Sequence, residues 1–379
     1  MMSDKKRVCV AVTARSSYSR IRTALEALSG MPEVDLQVIC SGSALLDRYG
    51  KVIDLIRADG FQVSEALFTF VEGNEPINMA LTTANTITQT AVALRRLHPD
   101  LLVTIADRYE TLGTAVAGSY TGVPLVHIQG GELSGNIDGK VRHAVTKLSD
   151  YHLVSNPAAA QRVAHMGGFP ASIFVTGCPS IDLAREASHY PLEDVQRTID
   201  RHGVGSGIDL KKDFIVLLQH PETDSHEQSH ERMAMSLDAV ARIGLPTLVF
   251  WPNIDAGSNA TSKAILAFRE SGKFSAVHYV KNLEGHEFLR LLQQSRCLVG
   301  NSSVGIREGA YLGVPVVNIG DRQFGRDRAD NVLDCPWNAR DIETAIGHQL
   351  QTGRYAPSLL YGDGHAGKEI ARVIAGLRS

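Results

Sequence analysis

Short apolar runs alternate with helical patterns along most of this 379-residue chain. The runs are continuously apolar, rich in Val, Ile and Leu, and bounded by Gly, Pro, Asp or Asn, which is typical of strands buried on both faces of a parallel sheet. The runs cover residues 8–12, 36–40, 101–106, 125–129, 152–155, 173–176, 214–219, 247–251, 276–280, 297–300 and 314–319. The helical patterns between them cover residues 18–28, 78–97, 109–120, 228–243 and 287–294. Strand–helix alternation of this kind predicts βαβ units and a doubly wound α/β fold.

The alternation pauses in one polar segment, 186–212, which ends in a glycine-rich turn and a charged run. The chain is also longer than one hydrophobic core usually supports. We therefore predict a Rossmann-like domain at 1–185, a linker at 186–212, a second Rossmann-like domain at 213–350, and a C-terminal segment at 351–379 that ends in an amphipathic helix. Ligands of open parallel sheets bind at the carboxyl ends of the strands, so two facing domains predict a cleft between those ends.

The near-neutral charge balance restricts the partners. Lys and Arg number 38 against 41 Asp and Glu, so the chain has neither the basic footprint of a nucleic-acid-binding protein nor a polybasic patch for membranes. The five scattered cysteines form no CxxC pair, which favours buried thiols in a reducing compartment over a disulfide framework or a zinc site. The first apolar run is too short for a signal peptide, and no stretch approaches the roughly 18 apolar residues of a membrane span. We therefore expect a cytoplasmic protein.

Charged residues follow two of the predicted strands in the N-terminal half. Arg15 comes shortly after the strand 8–12 and has the planar donor geometry that suits phosphate or carboxylate, although a solvated arginine fits this position equally well. Asp107 comes directly after the strand 101–106, where it is either a catalytic carboxylate or the N-cap of the helix that follows.

The next strand, 125–129, ends in the glycine-rich segment GGELSGNID, which contains Glu132 and Asp138. One right-handed crossover separates this loop from Asp107, so both loops are expected at the same edge of the sheet. Carboxylates held close together have pKa values that are pushed apart, which lets one act as an acid and another as a base. His143 either joins them or is a helix residue bonded to backbone.

Two features of the C-terminal half predict a binding site. His220 ends the strand 214–219 and is followed by Pro221, which stops the strand and directs His220 out of the sheet edge. The strand 247–251 ends in PNIDAGS, which contains Asn253 and Asp255.

A third feature concerns the segment that follows the strand 297–300. Asn-Ser302-Ser303-Val-Gly305 leads into a predicted helix, 306–312, whose N-terminal amide groups and two serine hydroxyls make an anion site. Glu308 would repel a phosphate but suits a ribose diol, so the segment predicts a nucleoside diphosphate site. The alternative is an ordinary serine-capped helix.

Two patterns resemble motifs of other classes. His226 and His230 fit the HExxH pattern of zinc proteases, but they lie in a very polar stretch with no evident third ligand, so a solvated helix start is the favoured interpretation. The glycines of 203–207 follow no buried strand, and no GxGxxG lies between a strand and a helix, which disfavours a dinucleotide-dependent dehydrogenase.

Taken together, the segments ADRYE, HIQGGELSGNID, RHAVTKLSDYH, LQHP, PNIDAGS, GNSSVGIREGA, NIGDRQFGR and YGDG resemble the hydrolysing UDP-N-acetylglucosamine 2-epimerases. The likeness is strongest to the epimerase half of the bifunctional animal enzyme of sialic acid synthesis, and it includes bacterial enzymes of sialic and legionaminic acid synthesis. The resemblance implies a GT-B fold and a reaction without metal or added cofactor. In that reaction UDP is eliminated to give a 2-acetamidoglucal, to which water then adds with inversion at C2.

The resemblance also implies site residues. Asp107 and Asp138 correspond by position to the family's catalytic acids, and we add Glu132 and His143 as candidates. The predicted residues for UDP-sugar binding are Arg15, Arg108, His220, Asn253, Asp255, Val280, Ser302, Ser303, Gly305, Glu308 and Arg322. Members of the family form dimers or tetramers, which implies a homodimer or a dimer of dimers here.

The chain departs from the family at three places. Gln129 stands where members of the family often have Glu or His. An amide cannot shuttle a proton, so either Glu132 or His143 takes over that task or the chemistry is distributed differently. Ser17 and Arg20 stand where acidic and Lys residues are usual. Lys263 and Leu266 stand where paired arginines serve feedback inhibition in the animal enzyme, which predicts weak or absent inhibition by a CMP-activated sugar.

Three alternatives stay open. In the first, the donor is UDP-N,N′-diacetylbacillosamine, since no residue of the sequence distinguishes the substituents at C4 and C6 of the sugar. In the second, the protein is a GT-B glycosyltransferase, although the carboxylates at the strand ends favour the epimerase. The third alternative, a nucleotide-sugar-binding protein without catalysis, follows from the amide at Gln129.

Overall fold

The computed structural model describes residues 5–73, 75–135, 137–252 and 257–378. Of these, the residues within 1–132, 138–182 and 361–379 form a first compact unit, and those within 133–137 and 183–360 form a second. Each unit is built around its own parallel sheet.

The sheet of the first unit has the strand order β3-β2-β1-β4-β5-β6-β7. Every neighbouring pair is parallel, as expected for strands that are buried on both faces. The strands are β1 (Lys6–Val12), β2 (Val34–Ser41), β3 (Glu65–Leu67), β4 (Leu101–Ile105), β5 (Leu125–Ile128), β6 (Tyr151–Val154) and β7 (Ile173–Val175). The α-helices before residue 188 are α1 (Arg15–Ser29), α2 (Val52–Ala58), α3 (Pro76–Leu97), α4 (Tyr109–Thr121), α5 (Ile137–Leu148), α6 (Pro157–His165) and α7 (Pro179–Ala187).

The sheet of the second unit has the order β14-β13-β12-β9-β10-β11-β8, parallel except for β8, which runs antiparallel to β11. The strands are β8 (Val204–Gly205), β9 (Ile215–Leu218), β10 (Thr247–Phe250), β11 (Val277–Val280), β12 (Cys297–Gly300), β13 (Val316–Ile319) and β14 (Val332–Cys335). The helices are α8 (Leu192–His202), α9 (Ser229–Ile243), α10 (Ser258–Ser271), α11 (Gly285–Gln294), α12 (Ser303–Ile306), α13 (Glu308–Tyr311) and α14 (Ala339–Thr352), and the chain ends with α15 (Ala366–Gly376).

The predicted doubly wound α/β fold is confirmed, and the differences lie in short or polar elements. The segment 186–212, predicted as a linker, contains α8 and β8 and belongs to the second unit. Val195 and Ile199 of α8 are buried in that unit's core, a pattern that the surrounding charges obscure. The edge strands β3, β8 and β14 escaped prediction because two to four residues carry too little periodicity.

The C-terminal helix belongs to the first unit. Helix α15 packs against α1, and Ile370 and Ile374 are fully buried there. The Asp182 carboxylate accepts hydrogen bonds from the Ala366 and Gly367 amides at the start of α15, at 2.8 and 2.6 Å. The negative charge at the helix N-terminus stabilises this docking. Among the helices in the described ranges, none is long and apolar enough to cross a membrane.

In each sheet the chain reverses its direction of winding at one place, where neighbouring strands send their connections to opposite sides. In the first unit this place lies between β1 and β4, and in the second it lies between β9 and β12. Ligands of doubly wound sheets bind in the crevice at such a switch point, outside the carboxyl ends of the strands. The loops after these four strands are therefore where the fold predicts ligand binding.

Candidate functional site

Asp107 lies at the switch point of the first unit, directly after β4. The preceding residue, Ala106, has a left-handed backbone with φ of 67°, which is unfavourable for a residue with a Cβ and turns the chain sharply at the end of the strand. The Asp107 carboxylate forms ion pairs with Arg142 and, at 3.9 Å, with Arg20. The N-cap position of α4 is Arg108, so the interpretation of Asp107 as that helix's N-cap is wrong.

Arg142 connects the loops after two neighbouring strands. Its side chain lies on α5 and is only 1% exposed, which is rare for arginine unless the charge is paired. One guanidinium nitrogen pairs with Asp107, and Nη1 donates a 2.8 Å hydrogen bond to the backbone carbonyl of Glu132. A single buried cation thus fixes the loop after β4 relative to the loop after β5.

Glu132 is buried at the end of the glycine-rich turn that follows β5. Its Oε1 accepts a hydrogen bond from the Ser155 hydroxyl, which follows β6. The turn depends on Gly131, whose φ is 76° and whose Cβ, if present, would lie 2.4 Å from the Ala159 carbonyl oxygen. Only glycine accepts both the left-handed backbone and this close approach. The structure therefore brings Asp107 and Glu132 to adjacent strand ends, as the sequence predicted.

His127 lies on β5 beneath these loops and is held in one neutral form. Nε2 donates to the Ala106 carbonyl at 2.9 Å, and Nδ1, 3.1 Å from the Thr146 hydroxyl, accepts from it. Burial lowers the pKa of His127 to about 4. The imidazole is therefore uncharged at neutral pH and anchors the strained peptide that precedes Asp107.

The other predicted catalytic residues lie on α5. Asp138 is half-buried in the first turn of the helix. Burial, and secondarily the neighbouring Arg142 charge, lowers the pKa of His143, while a hydrogen bond to the Glu132 backbone acts in the opposite direction. That backbone bond is the alternative that the sequence left open for His143. Its Nε2 is buried and has no hydrogen-bond partner within the described part of the chain.

The two arginines predicted to bind substrate in this unit occupy different settings. Arg15 is the first residue of α1, beside the end of β1. Arg108 directs its guanidinium at Glu110, with Nε 3.1 Å from Oε2, and Glu110 is completely buried. This pair fixes the start of α4, and Glu110 was missed because the motif ADRYE alone does not tell a buried glutamate from a solvated one.

Two residues that depart from the family pattern, Ser17 and Gln129, form hydrogen bonds within the first unit. Ser17 accepts hydrogen bonds from the Thr13 and Ala14 amides at 3.1 and 2.9 Å, which caps the start of α1. Gln129 has φ of 64°, is buried, and donates from Nε2 to the Cys178 sulfur at 2.7 Å. Its Oε1 has no hydrogen-bond partner among the residues that the structure describes.

His220 and Asn301 join the two strands at the switch point of the second unit. The His220 amide donates to Asn301 Oδ1 at 2.7 Å, and Asn301 Nδ2 donates to the His220 carbonyl at 2.9 Å. Both residues are buried, and β9 and β12 lie side by side, so the reciprocal pair closes the ends of both strands. Asn301 and its role were not predicted.

The serine-rich segment after β12 forms a shorter helix than predicted. Ser302 caps α12, and its side chain accepts from the Val304 amide. The predicted helix 306–312 is divided at Arg307, which is buried and donates to the Ser303 hydroxyl at 3.0 Å. Gly305 is required by packing, since a Cβ there would lie 2.8 Å from Val316.

Glu308 begins the second short helix, α13, and is buried. Its Oε2 lies 3.7 Å from Arg307 Nε and makes no hydrogen bond to any described residue. A buried carboxylate oxygen without a donor is costly unless a ligand supplies one. The geometry thus agrees with an acceptor for ligand hydroxyl groups.

Arg322 and Gln323 approach the same strand end. They donate to the Asn301 carbonyl at 3.3 and 2.9 Å. Glu222 supports this loop by accepting from the Asp321 amide at 3.2 Å and pairing with Arg232 at 2.5 Å. His220, Ser302, Ser303 and Arg322 therefore share one edge of the second sheet.

Three further residues of the second unit were predicted to bind the UDP-sugar. The Val280 side chain is fully buried in the core, so only its backbone is available to a ligand at the end of β11. Asn253 and Asp255 lie outside the described residues.

The HExxH pattern does not lie on one continuous helix. His226 belongs to a 3₁₀ turn with a non-helical residue at Ser225, whereas His230 lies in α9. Within the described ranges, no group of three His, Cys, Asp or Glu side chains is placed to hold a metal ion.

Comparison with known proteins identifies the family of this chain. Residues 26–375 match the protein family described as UDP-N-acetylglucosamine 2-epimerase. The chain belongs to this family. A UDP-N,N′-diacetylbacillosamine 2-epimerase (hydrolyzing) of Legionella pneumophila is 29% identical over 369 residues, covering 97% of this chain and 95% of that protein. A UDP-N-acetylglucosamine 2-epimerase of Neisseria meningitidis is 27% identical over 350 residues, covering 92% and 89%.

Solved structures of family members share the fold. The structure of Methanocaldococcus jannaschii UDP-GlcNAc 2-epimerase in complex with UDP-GlcNAc and UDP superposes with a TM-score of 0.82 at 15% identity, covering 97% of this chain and 99% of that one. The Neisseria meningitidis enzyme bound to UDP-GlcNAc gives a TM-score of 0.80 at 16% identity, with the same coverage. These likenesses confirm the predicted GT-B-like class of two Rossmann-like units.

Proposed function

We propose that the protein is a hydrolysing UDP-N-acetylglucosamine 2-epimerase that converts UDP-GlcNAc and water into ManNAc and UDP, for the synthesis of sialic-type sugars. The observation that carries this proposal is the pair of carboxylates, Asp107 and Glu132, at adjacent strand ends of a chain in this family. A reaction that removes and returns a proton at C2 needs an acid and a base in different environments.

The proposed first step is an elimination. A base takes the C2 proton, the electron pair forms the C1=C2 bond, and the C1–O bond breaks to release UDP. Water then adds its hydroxyl group at C1 of the 2-acetamidoglucal, and an acid delivers a proton to C2 from the opposite face. The products are ManNAc and UDP, with one water consumed.

We assign the base to Asp107 and the acid to Glu132. The cations Arg142 and Arg20 favour the ionised form of Asp107, which is the form that accepts a proton. Glu132 is the second buried carboxyl group of the pair, and the hydrogen bond that its Oε1 accepts from the Ser155 hydroxyl holds the side chain in place. Asp138 and His143 are the remaining candidates for proton transfer, because the amide of Gln129 does not titrate.

The second unit would hold the nucleotide. Hydroxyl and amide donors at Ser302 and Ser303, together with His220 and Arg322, suit the diphosphate. The buried, unsatisfied oxygen of Glu308 suits the ribose diol. No metal or cofactor is part of this proposal, and we place the protein in the cytoplasm as a homodimer.

The name of one relative makes a second sugar nucleotide a candidate substrate, to be compared with UDP-GlcNAc. The Legionella pneumophila protein, 29% identical, acts by its name on UDP-N,N′-diacetylbacillosamine. That sugar differs from UDP-GlcNAc at C4 and C6, so both donors belong in the same assay.

The decisive experiment incubates the protein with UDP-GlcNAc alone in D₂O. We expect UDP and C2-deuterated ManNAc in equal amounts, detected by NMR and mass spectrometry. Sugar release only after an acceptor is added would identify a glycosyltransferase instead. Turnover of UDP-N,N′-diacetylbacillosamine with no turnover of UDP-GlcNAc would reassign the donor and keep the reaction class.

Two variants test the assigned proton carriers. Asp107→Asn and Glu132→Gln should each lower kcat roughly 10²–10⁴-fold. Asp35→Asn and Glu33→Gln, which change exposed acids of the same unit, are the matched controls and should leave kcat within about twofold of the wild type. A near-normal rate for either site variant would remove that residue from the mechanism.

A further inference from the structure

A cavity of about 280 Å³ lies in the first unit, between the C-terminal ends of α5 and α6 and the start of β6. Asp150, which lines it, directly precedes β6, whereas Ser155, the hydrogen-bond donor to Glu132, follows that strand. The cavity therefore lies toward the amino ends of the strands, away from the edge that carries Asp107 and Glu132. We call it the α5–α6 cavity, and its lining includes Thr146, Lys147, Asp150, His152, Met166 and Phe169.

A buried histidine on the wall of this cavity has an unsatisfied ring nitrogen. His152 is 4% exposed, and its Nδ1 makes no hydrogen bond to any residue that the structure describes. Burial lowers the pKa of His152 to about 4, so the ring is uncharged at neutral pH. A buried polar nitrogen without a partner is costly. A ligand in the cavity that supplies the complementary hydrogen-bonding group would remove this cost.

The charges on the cavity wall cancel. Among the described lining residues, Lys147 and Asp150 are the two that are charged at neutral pH, with opposite signs. Lys147 Nζ donates to the Met166 carbonyl at 2.7 Å, and Asp150 Oδ2 accepts from the Leu125 amide at 2.8 Å, so both groups are already engaged. The C-terminal ends of α5 and α6 carry a partial negative charge, which disfavours an anion. These features favour an uncharged ligand.

The size of the cavity and its aromatic wall restrict the ligand further. An apolar protein cavity of about 150 Å³ accepts one benzene ring, so a volume of about 280 Å³ suits two fused rings. Phe169 lines the cavity although its side chain is 80% exposed, and Met166 is half-buried. Aromatic rings and thioethers both pack favourably against an aromatic ligand. A two-ring heteroaromatic molecule with one polar group for His152 satisfies these conditions.

Thr146 connects the cavity to the catalytic edge of the sheet. It lines the cavity, and its hydroxyl donates to His127 Nδ1 at 3.1 Å. His127 Nε2 in turn donates at 2.9 Å to the carbonyl of Ala106, the residue with a left-handed backbone that precedes Asp107. His127 and His152 are register partners on β5 and β6, so their side chains lie on the same face of the sheet. A ligand packed against Thr146 and His152 therefore acts on the group that holds the Ala106 peptide.

We propose that the α5–α6 cavity is a regulatory site for an uncharged two-ring heteroaromatic molecule that hydrogen-bonds to His152 and stacks on Phe169. Occupancy shifts Thr146 and His127, and with them the loop that carries Asp107. Hydrogen-bonded groups in contact are a physical route by which two sites of one protein share a coupling free energy. The binding site is independent of the reaction proposed above, whereas its effect on turnover rests on that reaction.

Three probes with one ring system and different charges test the ligand class. Indole-3-acetamide is uncharged, indole-3-acetate is anionic and tryptamine is cationic. In ligand-observed NMR titrations with the full chain, indole-3-acetamide should bind with a Kd of about 1 mM or tighter, as a compact ligand of this size allows. The two charged probes should bind at least about fivefold more weakly. Failure of indole-3-acetamide to saturate would overturn the site, and equal or tighter binding of either charged probe would overturn its ligand class.

Variants of the wall locate the probe. Phe169 is exposed, so Phe169→Ala leaves folding intact and should weaken indole-3-acetamide binding at least about threefold. Phe68→Ala, which changes a 75% exposed aromatic side chain of the same unit, is the matched control and should leave the affinity unchanged. His152→Phe keeps a ring in the buried position and should abolish the preference for indole-3-acetamide over 3-methylindole, which lacks the polar group. Unchanged affinity in Phe169→Ala, an unchanged preference in His152→Phe, or displacement of the probe by UDP would overturn the site.

The NMR signal of His127 tests the connection to Asp107. Saturating indole-3-acetamide should shift the His127 Hε1 resonance, which is assigned from its loss in His127→Asn. The shift should be much smaller in Thr146→Val, which keeps the shape of the side chain without its hydroxyl. In the UDP-GlcNAc assay the probe should change kcat by at least about twofold.

The outcomes separate the two proposals. An unshifted His127 resonance, or an unchanged kcat, would refute the regulatory role of the α5–α6 cavity. Absence of UDP-GlcNAc turnover without the probe would instead refute the proposed reaction, which neither the binding titrations nor the His127 resonance reads.

Discussion

Replacing Arg142 by methionine would remove the cation that joins Asp107 to the loop after β5. Methionine keeps an unbranched side chain of similar length in the buried position, so the change isolates the charge and its hydrogen bonds from packing. The ion pair with Asp107 and the 2.8 Å hydrogen bond to the Glu132 carbonyl would both be lost. Removing one partner of a buried ion pair costs about 3–5 kcal/mol, because the other charge stays buried without compensation.

Arg20 reduces this cost. Its guanidinium lies 3.9 Å from the Asp107 carboxylate, and at an effective dielectric constant near 20 that attraction is worth at most about 4 kcal/mol. Both side chains keep some contact with solvent, at 16 and 13% exposure, which screens the pair. We therefore expect the lower end of the range, about 3 kcal/mol, which corresponds to a fall in Tm of roughly 6–12 °C for a unit of this size.

Chemical denaturation and initial-rate assays measure the two consequences. The free energy of unfolding should fall by about 3 kcal/mol, and kcat should fall by about 10²-fold or more, since the loops that carry Asp107 and Glu132 lose their common anchor. Arg142→Lys keeps the charge without the planar fork and should lie between the wild type and Arg142→Met. Arg7→Met breaks a pair with Asp100 that is partly open to solvent, and it should cost about 1 kcal/mol. If Arg142→Met loses no more stability than Arg7→Met and keeps its rate, Arg142 does not organise the site.

Other consequences concern pH, docking, nucleotide binding and regulation. Since burial lowers the pKa of His127 to about 4 from 6.5, the unfolded chain binds a proton in this interval that the folded chain does not, and stability falls as pH decreases from 6.5 to 4. His127→Asn should therefore lose up to about 3 kcal/mol less than the wild type over this interval, measured by denaturation at both pH values. Asp182→Ala should lower the free energy of unfolding by about 2 kcal/mol, because two amides at the start of α15 lose their acceptor; a loss below half that value would contradict the proposed docking role. Glu308→Gln should weaken UDP binding at least about 10-fold by calorimetry, and unchanged affinity would exclude the diol contact. Since Lys263 and Leu266 stand where the resemblance places paired arginines, CMP-activated sialic acid should inhibit weakly or not at all, so potent inhibition at micromolar concentrations would disprove that inference.

The class of the fold was predictable because its signal is local. A strand buried on both faces must be apolar at nearly every position; β4, β5, β9, β10 and β12 are nearly so through their whole length, and β1 is apolar from Val8 onward. The same rule explains the errors. Helix α8 carries two buried residues among many charges, so it does not follow the usual relation between hydrophobicity and burial.

The candidate site was predictable only where the type of a single residue and its position near a strand end indicate its chemistry. Asp107, Glu132 and His220 stand directly at strand ends, and the sheet topology brings such ends together. Arg142 and His127 were missed although each carries a signal, a charged residue on the apolar side of α5 and a polar residue inside the apolar run of β5. Such a signal shows that a partner must exist and does not show which one.

The sequence by itself determined the alternating elements, the two parallel sheets and the residue types at their carboxyl ends, because hydrophobic period and strand ends depend on near neighbours in the chain. The tertiary structure decided which groups meet: Arg142 with Asp107, His127 with the Ala106 carbonyl, and Asn301 with His220. These contacts join residues that are 21 to 81 positions apart or lie on different elements. Their geometry depends on the strand order, the left-handed turns after β4 and β5, and the burial that makes each unpaired polar group costly.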